Sequence, residues 1–293
     1  MTEERPDFSQ IDAYGVTHAG KVRTENQDHF FVGALARGIA VDATSVARNR
    51  RILFPERLAS IGMVADGVGS TTGGGEAARV AVRGLLASVS RFYHDADRVE
   101  SDDPDVFSRL LTDAALGCHE TLLERAEEEG GRRRFATTLT LFLGQWPHAY
   151  LLQVGDSRCY IYRDDRLTQI SRDQTIAQEL IDSGVLSRTM AASSRWSNVL
   201  SSAIGGEEAA PVVNRVVRDW GTIGLLCSDG LTKHVPDERI AERLAGITSS
   251  REVAEQLLQD ALDGGGTDNI TIVVGRTLRP GDRASGEADD TEW

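Results

Sequence analysis

The sequence predicts an α+β fold in which two antiparallel sheets stack face to face and helices cover their outer faces, a four-layer α-β-β-α sandwich. Three observations indicate this. The helix-like segments come in two pairs separated by strand-like segments, which excludes the strict alternation of a doubly wound parallel sheet. The central strands are closely spaced and joined by turn residues. Several strands, such as TIGLLC, are apolar on both faces and therefore need cover on both.

The N-terminal half predicts three strands and two helices. Strands are expected at Ala13–Thr17, His29–Val32 and Ile61–Ala65. Residues 34–60 are interpreted as a surface elaboration with a solvated basic cluster. GSTTGGGEAA is interpreted as a plain turn, with a phosphate cradle at the N-terminus of the next helix as the alternative. Two amphipathic helices follow, the second over about residues 105–129. Their apolar stripes are Ala78, Val82, Leu85, Val89 and Phe92, and then Phe107, Leu111, Ala114, Cys118 and Leu122. The basic cluster is Arg48, Arg50 and Arg51.

The C-terminal half begins with a meander of strands and ends with a helix pair and a last strand. The predicted strands are Thr138–Leu143, Ala149–Val154, Cys159–Tyr162, Leu167–Ile170, Val212–Val217, Thr222–Cys227 and Ile270–Gly275. The predicted helices are Asp173–Ser183, Asp237–Ala245 and Arg251–Leu262, the last preceded by a capping-box pattern from Ser249 to Glu252. The segment Gly184–Gly206 is Ser-rich without a clear period and is interpreted as a mobile flap.

Composition and charge exclude several classes of protein. The 293 residues are 40% hydrophobic with a net charge of −13, and this charge argues against a nucleic-acid partner, which needs a basic face. No apolar run reaches the length of a membrane span, so we expect a soluble, cytoplasmic protein. We also expect a monomer. The three cysteines, Cys118, Cys159 and Cys227, form no C-x-x-C pair and are expected to be buried small hydrophobes. We expect one domain over residues 11–277, between a disordered N-terminus (1–10) and an acidic disordered tail (278–293).

Five aspartates lie where predicted strands begin or end. Asp66, Asp156 and Asp229 close apolar runs, whereas Asp28 and Asp268 open them. In an antiparallel sheet the end of one strand lies beside the start of its neighbour, so all five carboxylates can fall on one edge of the protein. Asp-Gly after an apolar run is also a common turn signal, which is the simpler interpretation of any one of them. Clustered carboxylates without sulfur or imidazole favour Mg²⁺ or Mn²⁺.

The ordered motifs RTENQD, VADGVG, ATTL, VGDSR, LLCSDGL and TDNIT resemble the signature of the metal-dependent type 2C serine/threonine protein phosphatases (the PPM family), in their bacterial form. The resemblance covers roughly residues 11–277, and the family fold is a β-sandwich flanked by helices. It implies hydrolysis of phosphoserine and phosphothreonine on proteins by two Mn²⁺ or Mg²⁺ ions that activate a bridging water. Phosphorylated proteins, among them a serine/threonine kinase and its substrates, are the implied partners in signal transduction.

The resemblance also implies roles for single residues. Asp66 is the bridging carboxylate, the Gly67 carbonyl binds one ion, and Asp229 and Asp268 complete the other shell. A separate acidic position, Asp28, binds metal directly or orients a metal-bound water. Two further roles follow. Asp156, with Asp229, holds a weaker third ion, and Arg23 binds the substrate phosphate, since its planar fork suits a phosphate dianion.

Three departures from the family pattern bear on the site. Gln27 stands where many relatives have a second acidic residue, and Val68 stands where eukaryotic members have a histidine that is a candidate general acid. Neither His18 nor His234 is a strong replacement, and both are interpreted as structural. The GSTTGGGEAA loop is richer in serine and threonine than the usual glycine turn.

Two other functions stay open on the sequence alone. One is a catalytically weak regulatory module that binds phosphoproteins. The acidic residues and Arg23 argue against it, because a protein that only binds has no need to keep every metal ligand. The other is a phosphoesterase for small molecules.

Overall fold

The computed structural model describes residues 5–37, 56–69, 73–94, 105–131, 135–192 and 194–279. Two five-stranded antiparallel sheets form within these ranges. The β1 sheet contains, in spatial order, β1 (Ile11–His18), β10 (Ile270–Thr277), β9 (Ile223–Cys227), β6 (Arg158–Arg163) and β7 (Arg166–Gln169). The β2 sheet contains, in spatial order, β2 (His29–Arg37), β3 (Glu56–Ala65), β4 (Leu139–Gln145), β5 (His148–Val154) and β8 (Val212–Val217).

Four longer and three short α-helices lie in the described part of the chain. The longer ones are α1 (Gly73–His94), α2 (Val106–Glu128), α6 (Asp237–Ala245) and α7 (Ser250–Asp263). The short ones are α3 (Ile176–Asp182), α4 (Arg188–Ala192) and α5 (Asp229–Thr232). The predicted N-cap of α7 is present, since the Ser249 hydroxyl accepts a hydrogen bond from the Glu252 amide at 3.1 Å. Such a cap stabilises a helix by about 1 kcal/mol.

Three apolar layers hold the two sheets and the helices together. The largest joins the predicted stripes of α1 and α2 to the outer face of the β2 sheet. A second joins α6 and α7 to the outer face of the β1 sheet. Between the sheets lies a thinner layer built from Val64, Leu151, Cys159, Leu226 and Val273. The order helix, sheet, sheet, helix confirms the predicted fold class.

The β2–β3 hairpin is longer than the sequence predicts. β2 continues to Arg37 and β3 begins at Glu56, so both ends of the segment 34–60 are strand and not surface elaboration. A register shift between Leu35 and Ala36 breaks the alternation that would have shown this. The basic cluster at Arg48, Arg50 and Arg51 lies outside the described residues.

Two segments expected to be irregular contain helices. Gly73–Gly75 of the expected turn form the first residues of α1. The flap contains α4, and its C-terminal part pairs back onto the domain through bridges Thr175↔Leu200 and Thr137↔Ile204. Glycine and serine carry weak local signals, so tertiary contacts decide these conformations.

Other expectations concern the cysteines, the N-terminus and membrane spans. All three cysteines are buried and free, as predicted. Within the segment predicted to be disordered, Phe8–Gln10 forms a 3-10 turn capped by Asp7. The remaining domain boundaries stay predictions. Among the described residues, we find no helix that is both long and apolar enough to cross a membrane.

Candidate metal centre and phosphate site

The strand register brings the five aspartates to one edge of the sandwich. His29, at the start of β2, pairs with Ala65 at the end of β3, so Asp28 and Asp66 are neighbours. In the other sheet Cys227 pairs with Ile272, which places the end of β9 beside the start of β10. β5 runs parallel to β3 across β4, and its end carries the fifth aspartate to the same edge.

An open pocket of about 640 Å³ lies at this edge. It is bordered by four of the five aspartates together with Arg23, Gly67 and Lys233. The four are Asp66, Asp156, Asp229 and Asp268. Asp28 is 3% exposed and lies outside the lining. The pocket therefore collects carboxylates from both sheets.

Threonine hydroxyls fix the backbone of Asp66. The Thr138 hydroxyl accepts a hydrogen bond from the Asp66 amide at 3.0 Å, and the Thr137 hydroxyl donates to its carbonyl at 2.8 Å. Behind them, Thr138 and Ser157 share a buried hydrogen bond of 2.8 Å. The next residue, Gly67, touches the backbone of α1. A Cβ on Gly67 would lie 2.5 Å from the carbonyl carbon of Gly74, so a side chain has no room here.

Asp28 has one satisfied and one unsatisfied oxygen. Its Oδ2 accepts a hydrogen bond from the Thr271 hydroxyl at 2.7 Å, which ties the start of β2 to β10 of the other sheet. Its Oδ1 is buried and has no hydrogen-bond partner. Burial raises the pKa of Asp28 to about 6, against the lowering effect of its hydrogen bonds. A buried carboxylate oxygen without a donor is costly unless a cation or a proton is nearby.

Three other carboxylates also have raised pKa values. Burial, followed by repulsion from Asp28 and Asp229, raises the pKa of Asp66 well above its usual range. Burial and repulsion from Asp229 raise the pKa of Asp156 to about 7. The pKa of Asp229 itself is raised by burial, although Lys233 opposes the shift. In all three, burial is the largest cause, and repulsion between neighbouring carboxylates adds to it.

Lys233 and Arg23 supply the positive charge that is present. The Lys233 ammonium lies 2.6 Å from Asp229 Oδ2 and 2.7 Å from Asp268 Oδ2, bridging two predicted metal ligands. Arg23 forms a two-pronged pair with Asp268, at 2.8 Å from Nε and 3.1 Å from Nη2. Burial acts to raise the pKa of Asp268, but the hydrogen bonds from Lys233 and Arg23 outweigh it and lower that pKa. Sequence reasoning missed Lys233, whose only signal is its i+4 spacing from Asp229.

Asn269 holds the loop that carries Arg23. Its Nδ2 donates to the carbonyls of Ala19 and Glu25 at 3.0 and 2.8 Å, and its Oδ1 accepts from the Gln27 amide at 2.9 Å. The side chain therefore connects the start of β10 with the β1–β2 loop. Asn269 thus positions the loop on which Arg23 lies.

The two histidines considered as replacements make local contacts. His18 Nδ1 accepts from the Gly20 amide at 2.9 Å, and His234 Nε2 accepts from the Thr267 amide at 3.0 Å. Neither lines the pocket. Val68, at the position of the eukaryotic histidine, does line it and offers no proton.

The donor set fits a hard divalent cation, with one rearrangement. Within the described ranges, no group of three or more His, Cys, Asp or Glu side chains is already drawn together as a metal site. Lys233 and Arg23 instead hold Asp229 and Asp268. The available ligands are all oxygens, several carboxylates repel one another, and Asp28 has an unpartnered oxygen. Mg²⁺ or Mn²⁺ suits this chemistry once the Lys233 ammonium moves aside.

Comparison with known proteins gives consistent results. Residues 52–264 match the family described as protein phosphatase 2C. The serine/threonine protein phosphatase PstP of Mycobacterium tuberculosis is 32% identical over 258 residues, which cover 87% of this chain and 43% of PstP. The chain thus spans less than half the length of that relative. The serine/threonine phosphatase stp of Listeria innocua is 30% identical over 217 residues, 72% of this chain and 82% of that protein.

A solved structure supports the same assignment. The catalytic domain of PstP in complex with two manganese ions superposes with a TM-score of 0.70 at 28% identity, covering 92% of this chain and 98% of that one. Because the family match spans residues 52–264 and this structure is similar, the chain belongs to the protein phosphatase 2C family.

Proposed function

We propose that the chain is a protein-serine/threonine phosphatase, a hydrolase that removes phosphate from phosphoserine and phosphothreonine with the help of Mn²⁺ or Mg²⁺. The observation that carries this proposal is the pocket at the sandwich edge, where four aspartates from two sheets border one space and Asp28 lies beneath it. The family match and the two manganese ions in the PstP structure support it. The proposed partners are phosphorylated proteins, including a serine/threonine kinase and its substrates.

The proposed ligands for the two ions are Asp66, the Gly67 carbonyl, Asp229 and Asp268, with Asp28 binding directly or orienting a water. Asp156, with Asp229, is proposed to hold a weaker third ion. Bound in pairs, such ions supply Lewis acidity and a bridging water activated for in-line attack on phosphorus. The threonines behind Asp66 support this assignment, because they fix the backbone from which the bridging carboxylate extends.

Arg23 is proposed to bind the substrate phosphate. Its side chain is 46% exposed at the pocket, close enough to solvent to receive a ligand. Its fork is presently paired with Asp268. When Asp268 turns to a cation, the guanidinium loses that carboxylate and can accept a phosphate in the same two-pronged geometry. Metal binding and phosphate binding are therefore coupled through the Asp268 side chain.

Turnover of a phosphothreonine peptide with and without Mn²⁺ tests the proposal. We expect hydrolysis with Mn²⁺ and none in EDTA. A protein that binds the peptide but releases no phosphate under either condition would be the regulatory module that the sequence left open. A protein that hydrolyses small phosphate esters but not phosphopeptides would be the small-molecule phosphoesterase.

Lys233→Met is expected to tighten metal binding. The Lys233 ammonium bridges Asp229 and Asp268, so a cation must displace it. A partly exposed ion pair contributes about 1 kcal/mol, which the cation no longer has to overcome in the variant. We therefore expect the half-saturating Mn²⁺ concentration to fall by about fivefold. Titration of activity with Mn²⁺ measures this. The control is Lys21→Met, whose ammonium is exposed and 4.0 Å from Asp263. A half-saturating concentration that stays constant or rises would show that Lys233 does not compete with the metal.

The flap (residues 184–206) is proposed to select protein substrates. Asn198 and Leu200 line the pocket. The flap also has three partly exposed apolar side chains that a peptide could contact. They are Met190, Trp196 and Val199, at 60%, 37% and 40% exposure. Backbone hydrogen bonds such as Ser201 N to Gln174 O, at 3.0 Å, anchor its C-terminal end.

Asp156→Asn is expected to reduce turnover of a phosphoprotein more than turnover of a small aryl phosphate. The reason is that loss of a third ion beside the flap weakens contacts that only a protein substrate makes. Shortening the flap by deleting residues 186–195 is expected to have the same effect. Steady-state kinetics on both substrates measures the ratio. Equal losses on the two substrates in both variants would exclude a role for the flap in substrate choice.

A further inference from the structure

A second cavity, of about 330 Å³, lies between the two sheets and away from the aspartates. Four glycines line it: Gly33, Gly62, Gly224 and Gly275. Each of the last three is two residues along its strand from an apolar residue of the layer between the sheets, and so faces the same layer. Those apolar residues are Val64, Leu226 and Val273. The layer is therefore filled near the aspartates and left open further along the same strands.

There is room for a side chain at two of these glycine positions. A Cβ on Gly224 would meet only the Gly275 carbonyl oxygen at 3.8 Å and Ile161 Cδ1 at 4.0 Å. A Cβ on Gly275 would meet the Ala13 Cβ at 3.6 Å. These are ordinary contact distances. The space between the sheets would accommodate side chains that the described residues do not supply, so it has room for a ligand.

Three arginines line the cavity, and one of them, Arg276, is ion-paired with Asp12. The other two are Arg57 and Arg218. Arg57 donates from Nη1 to the Ser60 hydroxyl at 3.3 Å, and its guanidinium lies 4.6 Å from the ring centre of Phe8. Its Nε is buried and has no hydrogen-bond partner. Arg218 donates to the Thr277 hydroxyl at 2.6 Å. Neither guanidinium forms an ion pair with any carboxylate of the described residues.

The electrostatics of this pair favour an anion. Burial lowers the pKa of Arg57 to about 10, although the charge of Asp7 partly opposes the shift. Burial, with repulsion from Arg57, lowers the pKa of Arg218 to about 10. Two neighbouring buried cations without a paired carboxylate are destabilised, and a bound anion would relieve both. A free Nε and a second guanidinium also offer the directed donors that a carboxylate accepts.

We propose that this cavity binds a small amphipathic carboxylate, with its apolar body between the sheets and its head group at Arg57 and Arg218. The volume is at the lower end of the range for small-molecule sites, and apolar walls with a few polar groups are typical of them. The site is independent of the aspartate pocket. Gly62 precedes Asp66 by four residues, roughly 13 Å along an extended strand.

Calorimetric titration of the full chain with octanoate, 1-octanol and octylammonium tests the proposal without any substitution. We expect octanoate to bind with a dissociation constant of about 0.1–1 mM, 1-octanol at least about tenfold more weakly, and octylammonium not at all. Octanoate binding weaker than about 10 mM, or equal binding of octanoate and 1-octanol, would overturn the proposal.

Two variants locate the site. Gly224→Val places a side chain in the cavity and is expected to abolish octanoate binding, and Arg218→Met is expected to weaken it at least about tenfold. Arg166→Met, on the exposed edge strand β7, is the matched control and should bind as the wild type does. Circular dichroism confirms that each variant is folded. If folded Gly224→Val binds octanoate normally, the ligand lies elsewhere and the assignment is wrong. Should Arg218→Met fail to fold, the comparison of octanoate with 1-octanol still decides the role of charge.

Discussion

Asp66→Asn is expected to abolish phosphatase activity, with a loss of roughly 10³-fold or more in kcat/KM at saturating Mn²⁺, since a metal centre contributes several kcal/mol. Asn keeps the shape of the side chain but removes the charge proposed to bridge two ions. The fold should survive. Burial and repulsion from Asp28 and Asp229 already disfavour the charged form of Asp66 in the metal-free protein. Removing that charge is therefore expected to leave the thermal midpoint in EDTA unchanged or raised.

The paired measurement separates loss of chemistry from loss of structure. Kinetics with a phosphothreonine peptide gives the first, and thermal unfolding in EDTA gives the second. Asp164→Asn is the control, because Asp164 is exposed in the β6–β7 turn and its φ of 50° suits asparagine. Near-wild-type turnover by Asp66→Asn would refute the two-ion assignment. A lower midpoint in EDTA would mean that the Asp66 carboxylate stabilises the fold itself.

Arg23→Ala is expected to raise KM for a phosphopeptide by about 10- to 150-fold, equivalent to ~1.5–3 kcal/mol for hydrogen bonds to a charged group. Metal affinity should not weaken. In the structure Arg23 donates two hydrogen bonds to the Asp268 carboxylate, so removing the Arg23 side chain frees a predicted metal ligand. Steady-state kinetics and a Mn²⁺ titration measure the two effects independently.

Arg23→Lys refines this test. Lysine keeps the charge but loses the two-pronged fork, and we expect it to recover only part of the lost affinity for substrate. A variant with weakened Mn²⁺ binding and an unaltered KM would instead assign Arg23 to positioning Asp268. Full recovery by lysine would show that charge, and not the planar geometry, matters at this position.

The edge on which the aspartates meet could be predicted from sequence because the argument needs only chain direction. Asp66 and Asp229 end strands, and Asp28 and Asp268 start them. Antiparallel pairing brings such positions together whatever the loops do. The apolar stripes of α1 and α2 were predictable for a related reason: burial of a helix face leaves a 3.6-residue period in the sequence.

Features decided by tertiary contacts could not be predicted. Lys233 follows a four-residue helix that has no periodic signal, and its role appears only when β10 pairs with β9 and brings Asp268 beside it. The first turn of α1 is three glycines, poor helix formers held in place by close packing of Gly74 on Gly67. The cavity between the sheets is likewise visible only after Gly62, Gly224 and Gly275 are brought face to face.

The aspartates extend from opposite layers of the sandwich, which gives the proposed ions a mechanical role besides chemistry. Asp28 and Asp66 adjoin strands of the β2 sheet, Asp229 and Asp268 adjoin strands of the β1 sheet, and Asp156 lies in the connection between the two sheets. Ions bound between them would cross-link the layers at an edge that electrostatic repulsion otherwise pushes apart. By mass action, a cation present at 100 times its dissociation constant adds about 2.7 kcal/mol to the free energy of unfolding. Metal supply would then control how long the protein persists in a cell as well as how fast it works.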